Sequence, residues 1–433
     1  MTEADGTDGG GGALDAERAT DVLVVGAGPA GSVLAYLLAR SGVRVTLLER
    51  ADLRNREFRG YGWQPAVVRH FEEMDLLDDV RALDHDELRR PSVHVYGEEY
   101  RLFDLDEFST HGYAMLLEQE PLLRLVVERA SEYEGFDYRP HTPVTDLLVE
   151  GGSVVGVQAR DQETGENVEF RARLVVGADG RFSTVRTAAG IDAGLFDSHL
   201  DLVWFKLPRE AADGTAQARV GSDGLILYFG LGSEEAQLGW FVPAGTYPDL
   251  RRRGIEAFRE QLRSVDPSLG PYLEAGLSSF EDCSLLHIAP GISDDWVRDG
   301  LLLVGDAAHV ASPIGGQGNG LAIADSVVAH GVVLDALANH PDSVSLPEAS
   351  LQRYERVRRP TVERTVRSQR RGERVLTALV GVGERVPDPL ARVALQSAVS
   401  VGPRLPPVRR TARRFFGDGD VRVDRTRFVD ADE

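Results

Sequence analysis

VLVVGAGPAG, residues Val22 to Gly31, decides the fold. The apolar, mostly β-branched run Val22 to Val25 leads directly into Gly26, Gly28 and Gly31, and the stretch Ser32 to Ala39 then reads as helix. The segment is strand, tight turn, helix. Gly26 permits the turn, Gly28 lets backbone approach a pyrophosphate, and Gly31 lets helix and strand pack closely. The helix N-terminus offers unpaired N–H groups and a positive dipole to phosphate. Pro29 suits the first helical turn, where no N–H is missed. A second strand, Val43 to Leu48, ends in Glu49, followed by Arg50. A carboxylate about twenty positions beyond the first glycine can accept both hydrogen bonds of a ribose diol, and it disfavours a 2′-phosphate.

Two later segments extend this reading: VVGADGRFSTVR, Val175 to Arg186, and LLLVGDAAHVASPIGGQGNG, Leu301 to Gly320. Leu301 to Val304 has the composition of a buried strand, so Asp306 falls just past a carboxyl end, where ligands bind in open α/β sheets. Gly315 to Gly320 leads into the apolar stretch Leu321 to Leu334, a helix whose N-terminal N–H groups and dipole face whatever lies in front of it. Asp179, followed by Gly180 and Ser183, has two readings. It is a ligand-facing carboxylate, or it is part of a turn and an N-cap.

In this order the three segments resemble the FAD-dependent monooxygenases of the para-hydroxybenzoate hydroxylase type, the group A flavin hydroxylases, from about Asp21 to about Ala338. The middle motif of that family stands here as Gly177, Ala178, Asp179, Gly180, Ser183 and Arg186. Its last motif stands as Gly305, Asp306, Ala307, Ala308, His309, Pro313, Gly315, Gly316, Gln317 and Gly318. The resemblance implies FAD on Gly26, Gly28, Gly31, Glu49, Arg50, Asp179, Gly180, Gly305 and Asp306, with Asp306 on the ribityl hydroxyls. Pro313, Gly316, Gln317 and Gly318 would face the flavin ring, where preorganised N–H groups stabilise the charge of the reduced flavin. Arg59, in FRGYGWQP, and Gln119, at the start of a helix, match two further cofactor contacts by context. One position departs from the pattern: Gly320 stands where most members carry Asn, and Asn319 lies one residue earlier.

No paired carboxylates and no histidine–acid constellation mark a general base, and His309 reads as fixing local backbone. That suits flavin hydroxylation, because the reactive oxygen is carried by the cofactor. The expected activity is an NAD(P)H- and dioxygen-dependent hydroxylation or epoxidation of an apolar aromatic or isoprenoid-like small molecule. NAD(P)H would bind only transiently, since no second glycine-rich nucleotide fold follows. A flavin-dependent polyprenyl reductase or dehydrogenase, and a flavin-binding protein without turnover, are the alternatives. The Trp-x-Trp-x-Ile-Pro signature of flavin halogenases is absent.

The expected class is α/β: a Rossmann-like FAD-binding domain from 21–90, 107–190 and 291–340, an antiparallel-sheet substrate domain from 91–106 and 191–290, and an arginine-rich helical region from 341–433. Residues 1–20 read as a disordered tail. Tyr96, Phe103, Trp204, Phe205, Phe229, Trp240 and Phe241 alternate through the second sheet as candidates for an apolar pocket or for plain core. A single cysteine, Cys283, excludes an internal disulfide and a thiolate metal cluster. A formal net charge of −21 argues against a nucleic-acid partner, and with Lys206 as the sole lysine it points to a salt-rich cytosol. Without a membrane-length apolar run or a signal peptide, a cytoplasmic protein is expected. The C-terminal arginines Arg358, Arg359, Arg370, Arg371, Arg409, Arg410, Arg413 and Arg414 belong either to helices packed on the acidic body or to a surface resting weakly on anionic lipid.

Overall fold

Valine and leucine runs that alternate with helices favour a parallel sheet covered on both faces. In the computed structural model, which describes residues 20–55, 61–212, 216–221, 223–232, 234–380 and 387–429, they build one. Strands β1 (Thr20–Val25), β2 (Val45–Leu48), β8 (Phe136–Arg139), β11 (Asn167–Gly177) and β19 (Leu301–Leu303) pair in parallel in the order β19-β11-β1-β2-β8, and β18 (Val297–Arg298) adds an antiparallel edge. β11 serves twice. Its first half continues the meander of β9 (Val144–Glu150) and β10 (Ser153–Arg160), and its second half lies between β1 and β19, which delivers Asp179 beside the first glycine turn. The tail 1–19 and Arg59 lie outside the described residues.

Helix α1 (Pro29–Arg40) packs on α9 (Gly318–Asn339), which begins three residues earlier than the apolar pattern alone predicts. α9 is long and apolar enough to cross a bilayer, yet it is mostly buried between α1 and the C-terminal helix α10 (Glu348–Val380). A small sheet of β3 (Gly62–Trp63), β4 (Asp86–Leu88) and β7 (Ala114–Leu116), with α2 (Pro65–Glu73), α3 (Leu77–Ala82) and α4 (Gln119–Ala130), completes this lobe. α5 (Thr184–Ala188) and the short pair β17 (Gly291–Ile292) and β20 (His309–Val310) brace the later motifs.

The second lobe is a seven-stranded sheet in the order β16 (Cys283–Leu286), β12 (Leu200–Pro208), β15 (Glu235–Pro243), β14 (Leu225–Leu231), β13 (Ala216–Val220), β5 (Ser92–Val95), β6 (Glu98–Arg101). It is antiparallel except where β13 meets β5. The segment expected to be one strand from Ser92 to Phe103 is a hairpin, turned at Tyr96 and Gly97 with φ of 51° and 84°; positive φ at both turn positions matches the twist of the strands. One face packs on α6 (Tyr247–Arg253), α7 (Ile255–Val265) and α8 (Gly270–Gly276). There Phe205 and Trp240 meet Phe258 at 5.8 and 6.3 Å between ring centres. Trp240 is therefore core, and Phe205 packs into that core while also lining the cavity at the end of β12. Trp204, Phe229 and Phe241 lie on the opposite face, toward the first lobe and the C-terminal helices.

The arginine-rich region continues as α11 (Asp388–Val401), α12 (Pro406–Phe416) and an extended tail. Its arginines reach back to the acidic body: Arg392 to Glu98 (3.1 Å), Arg425 to Asp75 (2.8 Å), Arg427 to Asp335 (2.7 Å) and Arg409 to Glu107. Pairs this exposed contribute little individually. Arg358 differs from the rest in being fully buried, which for this arginine decides between the two readings in favour of packing on the acidic body.

Candidate flavin site

At the β1–α1 turn Gly26 has φ 102°, and a Cβ there would lie 2.5 Å from the Ala178 carbonyl oxygen. A Cβ on Gly31 would lie 1.9 Å from the Gly26 carbonyl oxygen. Only glycine lets β11, the turn and α1 approach this closely. α1 begins at Pro29 with Gly28 as its N-cap, no side-chain cap and no acid in its first turn. Its leading N–H groups thus have no side-chain acceptor, the arrangement that binds phosphate. Glu49 is buried at the end of β2, where its carboxylate accepts the Ala27 N–H at 2.7 Å and the Ala51 N–H at 3.3 Å. Arg50, next in the chain, is exposed.

Asp179 follows β11 and is absorbed into a helix start. It accepts the Thr184 and Val185 N–H groups at 2.7 and 3.1 Å and the Ser183 hydroxyl, while Ser183 itself accepts the Arg186 N–H at 2.9 Å. Burial pushes the Asp179 carboxyl above its ordinary range, against these hydrogen bonds. The Arg186 guanidinium donates to the Ala307 carbonyl (3.0 Å) and the Arg181 carbonyl (2.8 Å), tying the middle motif to the loop that carries Asp306. Gly180 takes φ 82° in the turn between.

Asp306 stands half-buried just past β19, and Gly305 before it packs against Ala30 of α1, so the last motif closes on the first. The loop that follows is held by amides. Gln64 donates to the Gly315 and Gly316 carbonyls (3.3 and 3.2 Å), Gln317 to Gly315 (3.0 Å), and Gln369 of α10 brackets Ser312 and Ile314 with three hydrogen bonds. Gly315 and Gly316 adopt φ 80° and 60°, Pro313 precedes them, and α9 starts at Gly318 with no side-chain cap. The structure joins two residues that the sequence named separately: Gln119 donates to the Asn319 side-chain oxygen at 3.0 Å, and Asn319 donates to the Gly62 carbonyl at 3.4 Å. Asn319 and Gly320 therefore lie in the first turn of α9, beside Gln64 and α4.

Beneath this loop lies a buried ionic triad. Asp325 of α9, fully buried, accepts the Gly305 N–H (3.0 Å) and pairs with His309 (2.7 Å) and with Arg358 of α10 (2.7 Å). Burial alone would raise its carboxyl, but His309 and Arg358 outweigh that and hold it below the ordinary carboxylate range. Gln64, Gln369 and Arg358 were not singled out from sequence as site residues. Nothing in their local sequence separates them from neighbouring polar residues.

On the second sheet, Trp204 and Phe229 approach to 6.1 Å between ring centres, on the face turned toward β7 and α4. Lys206 spans the lobes, pairing with Glu118 at 2.7 Å, the residue before Gln119, and with Glu235. Trp204, Lys206, Glu235, Gln237 and Cys283 are among the residues lining a cavity of about 660 Å³. Cys283 is unreactive there, since burial pushes its thiol up to about 12.

Two helix N-termini without side-chain caps, a turn where any Cβ would strike backbone, and a fixed carboxylate at the end of β2 fit FAD on their own geometry. Residues 19–369 match the family described as FAD binding domain. The chain belongs to the FAD-dependent monooxygenases of the group A flavin hydroxylase kind. This flavin hydroxylase is 36% identical over 93% of its length to 6-methylpretetramide 4-monooxygenase of Streptomyces rimosus, covering 94% of that relative. It is 30% identical to digeranylgeranylglycerophospholipid reductase 1 of Methanococcoides burtonii, over 78% of each chain. Among solved structures it resembles pqsL, a probable FAD-dependent monooxygenase from Pseudomonas aeruginosa, with a TM-score of 0.70, 26% identity, and coverage of 83% of this chain and 96% of that one. For this hydroxylase, Asp306→Ala is expected to weaken FAD by about 1–3 kcal/mol, read by titrating the flavin-free protein with FAD. Unchanged affinity would remove the ribityl assignment.

Proposed function

We propose that this flavin hydroxylase uses NAD(P)H and dioxygen to insert one oxygen atom into an aromatic small molecule, in the manner that the name of its relative from Streptomyces rimosus describes. The observation that carries the reading is identity of 36% along 93% of the chain with that 4-monooxygenase. The Trp204–Phe229 pair on the sheet face turned toward β7 supports it. Bound FAD would supply the redox chemistry, the two electrons of a nicotinamide hydride reducing dioxygen so that one oxygen atom enters the substrate and the other leaves as water. The chain's share is to bind, orient and exclude water. The N-terminus of α1 and Glu49 hold the adenosine diphosphate, and Asp306 holds the ribityl chain. The N-terminus of α9, set by Gln64 and Gln369, presents N–H groups to the ring edge where negative charge collects on reduction. Trp204 and Phe229 offer the apolar surface for the substrate.

The test is oxidation of NADH or NADPH under isotopically labelled dioxygen with hydroxylated aromatics as substrates. One labelled oxygen in the product supports the reading, whereas nicotinamide oxidation with no label in any product refutes it. The reductase reading rests on the 30% identity with the Methanococcoides burtonii enzyme and on the exposed Leu390, Val393, Val401, Leu405 and Val408 beside C-terminal arginines, a surface suited to anionic lipid. It predicts turnover without oxygen. A cytoplasmic, salt-rich setting goes with the net charge of −21. Screening that charge, at ~1 M salt with a Debye length of ~3 Å, should raise the melting temperature in potassium chloride. A flat response would remove the salt-rich setting.

A further inference from the structure

Gln237 is the residue whose chemistry remains open. It sits at the centre of the second sheet, paired in register with Lys206 of β12 on one side and Phe229 of β14 on the other. It is 1% exposed. Its side-chain nitrogen reaches only the Leu238 carbonyl, at 3.4 Å, and no donor among the described residues reaches its side-chain oxygen. Buried polar atoms are satisfied in roughly nine cases of ten, and an exception in a native fold calls for a reason. The surroundings supply one. Gly239, the next residue on the same face, has no side chain, and a Cβ there would lie 2.7 Å from the Trp204 ring, so the indole lies across the strand beside the amide. Phe229 flanks it from the next strand. Gln237 also lines the cavity of about 660 Å³ shared with Trp204 and Lys206, within the range of about 300–1,000 Å³ usual for small-molecule sites. Trp204 and the unsatisfied acceptor of Gln237 thus share one cavity, whose rim also carries Glu234, Glu235, Glu281 and Asp282, with Phe229 beside the amide on the next strand.

We propose that Gln237 selects the substrate: its side-chain oxygen accepts a hydrogen bond from a hydroxyl group on a planar aromatic polycycle whose rings lie against Trp204 and Phe229. This rests on the aromatic-substrate reading above and narrows it to compounds that carry a donor. A site that presents a buried acceptor discriminates strongly against analogues unable to satisfy it. Lys206 does not compete as a donor to the amide oxygen, because it is engaged by Glu118 and Glu235.

The experiment uses the FAD-loaded protein and two probes, 2-hydroxyanthraquinone and 2-methoxyanthraquinone, with binding read by quenching of tryptophan fluorescence. The wild type should bind the hydroxyl compound about 10–100-fold more tightly than the methyl ether. Gln237→Met, close in shape but lacking the acceptor, should abolish that preference, while Gln237→Glu, which keeps an acceptor, should retain it. The ligand-free Gln237→Met protein should melt no lower than the wild type, because it loses no hydrogen bond of consequence; a residue held for structure would be missed. Equal binding of both probes by the wild type, or a preference that survives Gln237→Met, overturns the assignment and leaves the aromatic reading in place. Failure of the wild type to bind either probe overturns both.

Discussion

Arg358→Ala is expected to destabilise the protein by about 3–5 kcal/mol, the largest loss available from a single polar side chain here. Asp325 has no solvent exposure and Arg358 is 2% exposed, so neither charge has water to fall back on. Arg358 supplies the Asp325 contact at 2.7 Å and also donates to the Leu321 carbonyl at 3.1 Å. Removing it leaves the Asp325 carboxylate in a low-dielectric core with only His309 and the Gly305 N–H as partners. The damage should extend to the cofactor, because Asp325 also fixes the Gly305 N–H next to Asp306. Urea unfolding and flavin content measured on the same preparation check both parts, and a change below about 1 kcal/mol with full flavin content would show that the triad is dispensable. The pH dependence follows in sign. A carboxyl held below its ordinary range contributes stability above the unfolded-state pKa of ~3.9 and loses it only as pH falls through the lower folded value. The wild type should keep this contribution across neutral and mildly acidic pH, whereas in Arg358→Ala the contribution should be smaller at neutral pH and its loss on acidification correspondingly less.

Gly31→Ala should abolish FAD retention and cost stability, about 1–3 kcal/mol or more as overpacking. The added carbon would lie 1.9 Å from the Gly26 carbonyl oxygen, a backbone atom, and 3.1 Å from the Ala178 Cβ. No side chain can rotate away, so α1 must lift from the turn and carry its leading N–H groups away from the pyrophosphate position. α1 also packs on α9, where Ser326 donates to the Ala30 carbonyl at 2.7 Å, so the shift would reach the N-terminus of α9. The check is the ratio of FAD to protein after purification, with circular dichroism to confirm a folded chain. A folded variant with full flavin would refute the phosphate assignment at this turn.

The first lobe was legible because its information is local. Gly26, Gly28 and Gly31 mark a turn whose backbone demands can be read one residue at a time, Glu49 closes the next strand, and the runs at 22–25, 175–177 and 301–304 signal buried strands by composition. Burial of β1, β2, β11 and β19 in one parallel sheet follows from that pattern. Local reading also left Asp179 between two descriptions, and tertiary contacts show its carboxylate bound to the start of α5.

Other features had no local signature. Alternation along β12 and β15 told that Trp204 and Phe205, or Gly239 and Trp240, point to opposite faces. Which face becomes core depended on α6, α7 and α8 folding back from later in the chain onto the sheet, where Phe258 receives Phe205 and Trp240. Arg358 reads like Arg359 beside it, yet one lies buried on Asp325 while the other stacks on Trp296 and bonds Glu355. Gln64, Gln369 and Gln237 look like any polar residue in a chain until their partners, or the lack of one, are known. The sequence by itself determined the FAD-binding fold and its glycine-bound cradle, since those rest on backbone conformations that few residues permit. Only the tertiary structure decided which polar side chains are buried and against what, because burial is a property of the elements that pack over a residue and not of the residue.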